Sequence, residues 1–167
     1  MPTDLTDRFR RWFEYEKDAH AKVLTSLDTV PAERRNSPEY RKAVSILAHI
    51  VEARRVWLGR MGVIALSTGP LFPDESDATR VAAEWQTVEE LWSRHLASVD
   101  EKELARVFDY KSYDGGHFRN SIEEIFTQLF GHSWYHRGQI AMLVRQAGGQ
   151  PAATDFVYWC RQPIRQP

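Results

Sequence analysis

The chain has 167 residues, with 22 Lys and Arg against 23 Asp and Glu and a formal charge of −1. That balance lacks the basic footprint of a nucleic-acid or anionic-membrane binder. Apolar residues make up 43 % and charged residues 27 %, which excludes a disordered chain and suits one globular domain over 1–167 with a real core.

The N-terminal run MPTDLTDRFRRWFEYEK interleaves acids with bases and holds no apolar core of a secretory signal. It opens the first helical pattern, in which Phe9, Trp12, Phe13, Glu16, Ala19, His20, Val23 and Leu27 recur at steps of three and four. Pro31 ends it. Ser37-Pro38 marks the start of a second helix, an N-cap followed by proline at the first helical position. Val44, Leu47, Val51 and Leu58 form one face, and Ile46, His49, Ile50, Ala53 and Trp57 form the next. Two adjacent apolar faces predict a helix buried more deeply than a surface one. Its apolar stretch at 43–50 is far short of the ~20 residues a bilayer span needs, so no membrane is expected.

After Gly62 a Pro/Gly-rich connection, STGPLFPDES, leads to a third helix capped at Ser76 or Asp77. Its stripe is Val81, Trp85, Val88, Trp92, His95 and Val99. The acid-rich run over 74–103 reads as a solvated face. Asp114-Gly115-Gly116, flanked by RVFDY and HFRN, predicts a small irregular hairpin or ordered loop. Ser121 and Glu124 fit a capping box for the fourth helix, which stops at Gly148-Gly149. The apolar residues of the tail DFVYWC are expected to pack back onto the bundle. The tail holds the only cysteine, Cys160, so no intrachain disulfide can form and a reducing, cytoplasmic setting is expected. The architecture predicted is all-α, an antiparallel four-helix bundle.

Chemistry concentrates on two helices. The fourth helix reads Ile125, Leu129, His132, His136, Ile140, Leu143 along its core stripe, so two histidines occupy apolar positions. An i, i+4 pair lies on one face, about 6 Å apart along the axis, and both imidazoles can converge on one ion. His49 repeats the pattern on the second helix. Three core-facing imidazoles on adjacent helices would leave open positions on a cation, as catalytic rather than structural zinc does. A histidine on an apolar face is more often a satisfied core residue, so spacing alone leaves both readings open. The pair is not a zincin motif, because no glutamate follows His132. Nucleophile elbow, P-loop, dinucleotide fingerprint and EF-hand loop are all absent from the sequence.

HSWYHRGQIAMLVRQAG, from His132 to Gly148, resembles the signature helix of the DinB-like proteins (the DinB/YfiT-like metalloenzymes): His, three residues, then His-Arg-Gly-Gln-Ile. LAHIVEARRVWLGRMG, from Leu47 to Gly62, is similar to that family's second, His-bearing helix. The resemblance spans nearly the whole chain. It implies a four-helix bundle, often a homodimer, holding a divalent ion, zinc or nickel, through His49, His132 and His136. Some members are thiol-dependent S-transferases using glutathione, mycothiol or bacillithiol.

Such an ion would lower the pKa of bound water to about 7 and would equally favour thiolate over thiol. The implied function is a metal-dependent transferase or hydrolase with a small-molecule substrate and a low-molecular-weight thiol cosubstrate. The alternative is a bundle that binds a metal or small ligand without turnover. Helical spacing nominates Glu52, Gln128 and Gln139 to orient the imidazoles. Arg137 is expected in an inter-helix or interface ion pair. Trp57 and Tyr135 are candidates for a pocket wall. His20, His95 and His117 are not expected as ligands; His20, on the Trp12-Glu16-His20 face, is the one that could join the set.

Overall fold

In the computed structural model, which describes residues 4–75 and 77–164, all four expected helices form, and 66 % of the chain is helical. The order is α1 (Leu5–Asp28), a 3-10 turn (Ala32–Arg34), α2 (Pro38–Arg60), α3 (Ala78–Ser98), α4 (Glu101–Leu104), β1 (Val107–Lys111), β2 (His117–Ser121), α5 (Ile122–Gln146) and α6 (Phe156–Cys160). The caps are local chemistry. Ser37 Oγ accepts from Tyr40 N at 3.2 Å, and the reciprocal Ser121–Glu124 box opens α5. Asp77 caps α3 by accepting from Thr79 N and Arg80 N; Ser76, the other candidate, lies outside the described residues. The predicted hairpin is real. β1 and β2 pair antiparallel with Val107 opposite Ser121 and Lys111 opposite His117, and Gly115 takes φ 89° in the turn.

α2 packs against α5 and α3, and α1 against α3 and α5. Arg10 on α1 donates to the carbonyls of Leu96 (3.1 Å) and Val99 (2.8 Å) at the far end of α3, so α1 and α3 run antiparallel. Arg106 reaches the Met61 carbonyl (3.4 Å), while its own carbonyl accepts from Ile122 N (3.0 Å). The end of α2 therefore meets the start of α5, and these two are antiparallel as well. The connection 61–77 returns along α2, where Ser45 Oγ donates to the Pro73 carbonyl at 2.7 Å. This return makes α2 and α3 run in the same direction.

At the centre of the bundle the core is interrupted by charge. Glu16 of α1 and Arg54 of α2 are fully buried and paired: Arg54 Nε donates to Glu16 Oε1 at 3.0 Å and Nη2 to Oε2. Ser133 Oγ of α5 also donates to Glu16 Oε1, at 3.0 Å. Trp92 of α3 donates from its indole nitrogen to the Arg54 carbonyl at 3.1 Å. The guanidinium lies over the rings of Phe130 (4.7 Å), Trp92 (4.8 Å) and Phe13 (5.6 Å). Burial works against ionisation of Glu16, but Arg54 above all outweighs it and holds the carboxyl below its usual range.

The tail packs back as expected. Tyr15 of α1 donates to the Thr154 carbonyl and meets Phe156 and Trp159 edge-on at 5.2 and 5.9 Å. Arg137 departs from expectation: among the described residues it makes no ion pair, and its Nη2 donates to the Tyr15 hydroxyl at 3.1 Å. Its guanidinium faces the Tyr15 ring at 5.3 Å and helps Arg54 hold Glu16 ionised, while its Nε and Nη1 have no hydrogen-bond partner among the described residues.

His20 sits one turn beyond Glu16, edge-on to Trp85 at 4.1 Å. Neither ring nitrogen has a hydrogen-bond partner among the described residues. Burial first, against the pull of Glu16 and with the push of Arg137 and Arg54, lowers its pKa to about 3. The folded state therefore keeps His20 neutral while the unfolded chain takes up a proton near pH 6.5. Its stabilisation is complete above pH 6.5 and is lost as pH falls toward 3, by up to about 1.4 kcal/mol per pH unit. His20→Phe should flatten the fall in urea stability between pH 6.5 and 4. An unchanged slope would mean that His20 does not drive acid lability.

Candidate metal centre

The α2–α5 seam brings His49, His132 and His136 together. α2 contributes His49 because its second apolar face turns toward α5, and α5 contributes the i, i+4 pair from its core stripe. His49 Nε2 lies 3.0 Å from His132 Nε2, which lies 3.1 Å from His136 Nε2. The ligating atoms of all three lie within 4.8 Å of one another. The rings meet edge-on, with centroids 4.4–4.9 Å apart. His49 is 2 % exposed and His136 9 %, so the group lies at the inner edge of the seam.

The outward nitrogens are committed. His49 Nδ1 donates to the Leu71 carbonyl at 2.6 Å, and His136 Nδ1 donates to Gln139 Oε1 at 2.6 Å. Each commitment leaves Nε2 as a lone pair pointing at His132. One N–H on His132 could serve one neighbour, which leaves the other contact lone pair to lone pair. A cation among the three nitrogens removes that conflict. Nitrogens bound at about 2.0–2.1 Å to a tetrahedral ion stand roughly 3.4 Å apart, near the 3.0 and 3.1 Å of the two contacts that His132 makes. The donor set fits a divalent ion, and the group could hold one. The electrostatics agree. Burial, then the charges of His136 and His49, lower His132 to about 4, and burial lowers His49 as well. These two imidazoles are neutral, with lone pairs available, at pH 7.

Of the orienting residues expected from spacing, Gln139 bonds its histidine directly. Glu52 does not touch His49: it accepts from Arg55 Nη1 at 2.7 Å and from Ser67 Oγ in the returning connection. Gln128 is exposed. Tyr135 stands edge-on to His136 at 5.1 Å and is 66 % exposed, a wall residue at the mouth of the seam. Trp57 instead packs on Tyr110 (4.9 Å) and under Arg60 (4.7 Å). His20 stands apart with Trp85, His95 packs between Trp92 and Phe126, and His117 lies at the end of the hairpin. None of these joins the cluster. Two neighbours of the cluster carry no sequence signal: the Leu71 carbonyl, and Phe72, whose ring stacks on His49 at 3.9 Å and 5°.

Among the described residues no helix is long and apolar enough to cross a membrane. The chain is 23 % identical over 163 residues to Protein DinB of Bacillus subtilis (strain 168), covering 91 % of this chain and 93 % of that protein. It superposes on the crystal structure of a DinB-like protein from Bacillus cereus ATCC 10987 with a TM-score of 0.63 at 21 % identity, over 85 % of this chain and 94 % of the other. The DinB family profile matches residues 1–163, nearly the full length that carries the bundle and the histidine seam. The chain belongs to the DinB family.

Proposed function

We propose that His49, His132 and His136 are the ligands of one divalent cation, zinc or nickel, and that the site activates a thiol or a water against a small-molecule electrophile. The convergence of three Nε2 atoms, two with their Nδ1 protons committed elsewhere, carries this reading. When bound, the ion supplies the Lewis acidity that makes a thiol or water nucleophilic at neutral pH. The chain's own part is to hold the three lone pairs in place and, by burial, to disfavour protonation of His49 and His132. The outer partners Leu71 and Gln139 fix two of the tautomers, and Phe72 and Tyr135 flank the histidines with aromatic surface.

Replacing any one of the three histidines with Ala should weaken metal retention more than the roughly 10–100-fold expected for an outer partner such as Gln139→Ala. Helicity should persist, since the core is apolar, and His95→Ala should keep the metal. Elemental analysis of protein purified without added metal, with titration of each variant, checks the ranking; metal bound by His132→Ala as tightly as by the parent overturns it. Incubation with glutathione-type thiols and an electrophile panel should give turnover that a chelator abolishes. Silence across the panel with metal bound would favour the alternative, a bundle that binds without turnover.

We propose, too, that the protein is a homodimer through the outward face of α5. Gly131, Tyr135, Gly138 and Met142 share that face; a Cβ added at either glycine would meet nothing within 4 Å, and Tyr135 and Met142 are 66 % and 60 % exposed. Helix-interior glycines cost about 1 kcal/mol each relative to alanine, a cost offset where a second backbone comes close. Light scattering at micromolar concentration should give a dimer mass for the parent and a monomer mass for Met142→Glu. A monomeric parent overturns this.

A further inference from the structure

The connection from Ala65 to Pro73 is laid along one face of α2 and touches it at successive turns. At its start the backbone passes so close to Gly59 that a Cβ there would stand 3.0 Å from Leu66 Cα and 3.2 Å from the Ala65 carbonyl oxygen. Ser67 Oγ donates to Glu52 Oε1, His49 Nδ1 donates to the Leu71 carbonyl at 2.6 Å, and Ser45 Oγ donates to the Pro73 carbonyl at 2.7 Å. Ser45, His49, Glu52 and Gly59 lie at i, i+4, i+7 and i+14, a single helix face. The segment is thus a strap fastened above and below His49. Glu52 is 5 % exposed, and its second oxygen is held by Arg55, so the anchor is itself fixed.

We propose that Glu52 is a positioning residue for the histidine cluster. It acts on His49 through Ser67 and the strap, whose Leu71 carbonyl holds the imidazole in the Nδ1–H tautomer with its Nε2 lone pair facing His132. The strap has no regular backbone ladder to set the Leu71 carbonyl, so the side-chain anchors must do so. The inference rests on the reading of His49 as a ligand, but its first consequence exists without any metal.

The test compares the parent with Glu52→Ala, Glu52→Gln and Ser67→Ala. In metal-free protein, long-range proton–nitrogen NMR on the histidine rings should show a single Nδ1–H tautomer for His49 in the parent. Glu52→Ala and Ser67→Ala should show mixed tautomers and faster exchange of that proton. Glu52→Gln, which retains an acceptor for Ser67, should restore the parental pattern. Titration with zinc should follow the same order, with Glu52→Ala roughly 10–100-fold weaker and Glu52→Gln near the parent. A His49 locked in the Nδ1–H tautomer in both Glu52→Ala and Ser67→Ala overturns the inference, whatever the zinc affinity. If the parent binds no divalent ion, the metal reading fails, and the tautomer comparison still decides the role of Glu52. Should Glu52→Ala not fold, Ser67→Ala carries the comparison.

Discussion

One buried carboxylate sets the geometry of the bundle. Glu16 on α1 accepts from Arg54 on α2 and from Ser133 on α5, and the Arg54 carbonyl accepts from Trp92 on α3. A buried ion pair adds little net stability, because desolvation consumes most of its Coulomb energy. Its effect here is directional. An apolar contact tolerates a slide of an ångström, whereas a guanidinium and a hydroxyl meeting the same oxygen at 3.0 Å tolerate little. Ser133 adjoins His132, so the interaction that indexes the helices against one another also sets the height of the first α5 histidine relative to α2.

The signature run on α5 acquires separate physical meanings once folded. His136 turns into the seam, and Gln139, one turn later, holds its outer nitrogen. Arg137 leans the other way to the Tyr15 hydroxyl, which in turn grips the Thr154 carbonyl of the tail. Gly138 faces outward. Four consecutive residues thus turn to three sides of the helix at 100° per residue, with His136 and Gln139 sharing the side of the histidine cluster, Arg137 facing the tail and Gly138 the outer surface of α5.

Much of this was legible in the sequence because it is periodic or local. The helices, the Ser37 and Ser121 caps and the hairpin turn follow from spacing. Spacing alone leaves the three histidines open between core and site, and the family resemblance is what singles them out as a set. Gln139 does follow from spacing: i+3 on a helix means contact. Glu52 satisfies the same spacing and yet does not bond His49, because Arg55 and Ser67 of the returning connection hold its two oxygens. The strap itself was unreadable. A main-chain carbonyl such as that of Leu71 is identical at every position, and composition shows only that the segment is irregular. Charge on Arg137 suggests an ion pair, but the carboxylate within its electrostatic reach, Glu16, is already bonded by Arg54, and Arg137 is left with the Tyr15 hydroxyl and ring.

The strap reverses the usual relation between loops and variation. Surface connections generally absorb insertions, since their ends are fixed and their middles are free. Here the middle is fixed as well, at Ser67, Leu71 and Pro73. One added residue between Ser67 and Leu71 would move the carbonyl that His49 reads by a full peptide unit while every helix stayed in place. The hairpin tip at 112–116 bonds none of the histidines; it meets α2 through Tyr113, which lies under Arg60 at 5.4 Å and feels the charge of Glu52, so an insertion there has only Tyr113 to keep in place. Of the two irregular segments flanking the long helices, one is a place where the fold can grow new surface, and the other is a ruler whose length the bundle has to keep.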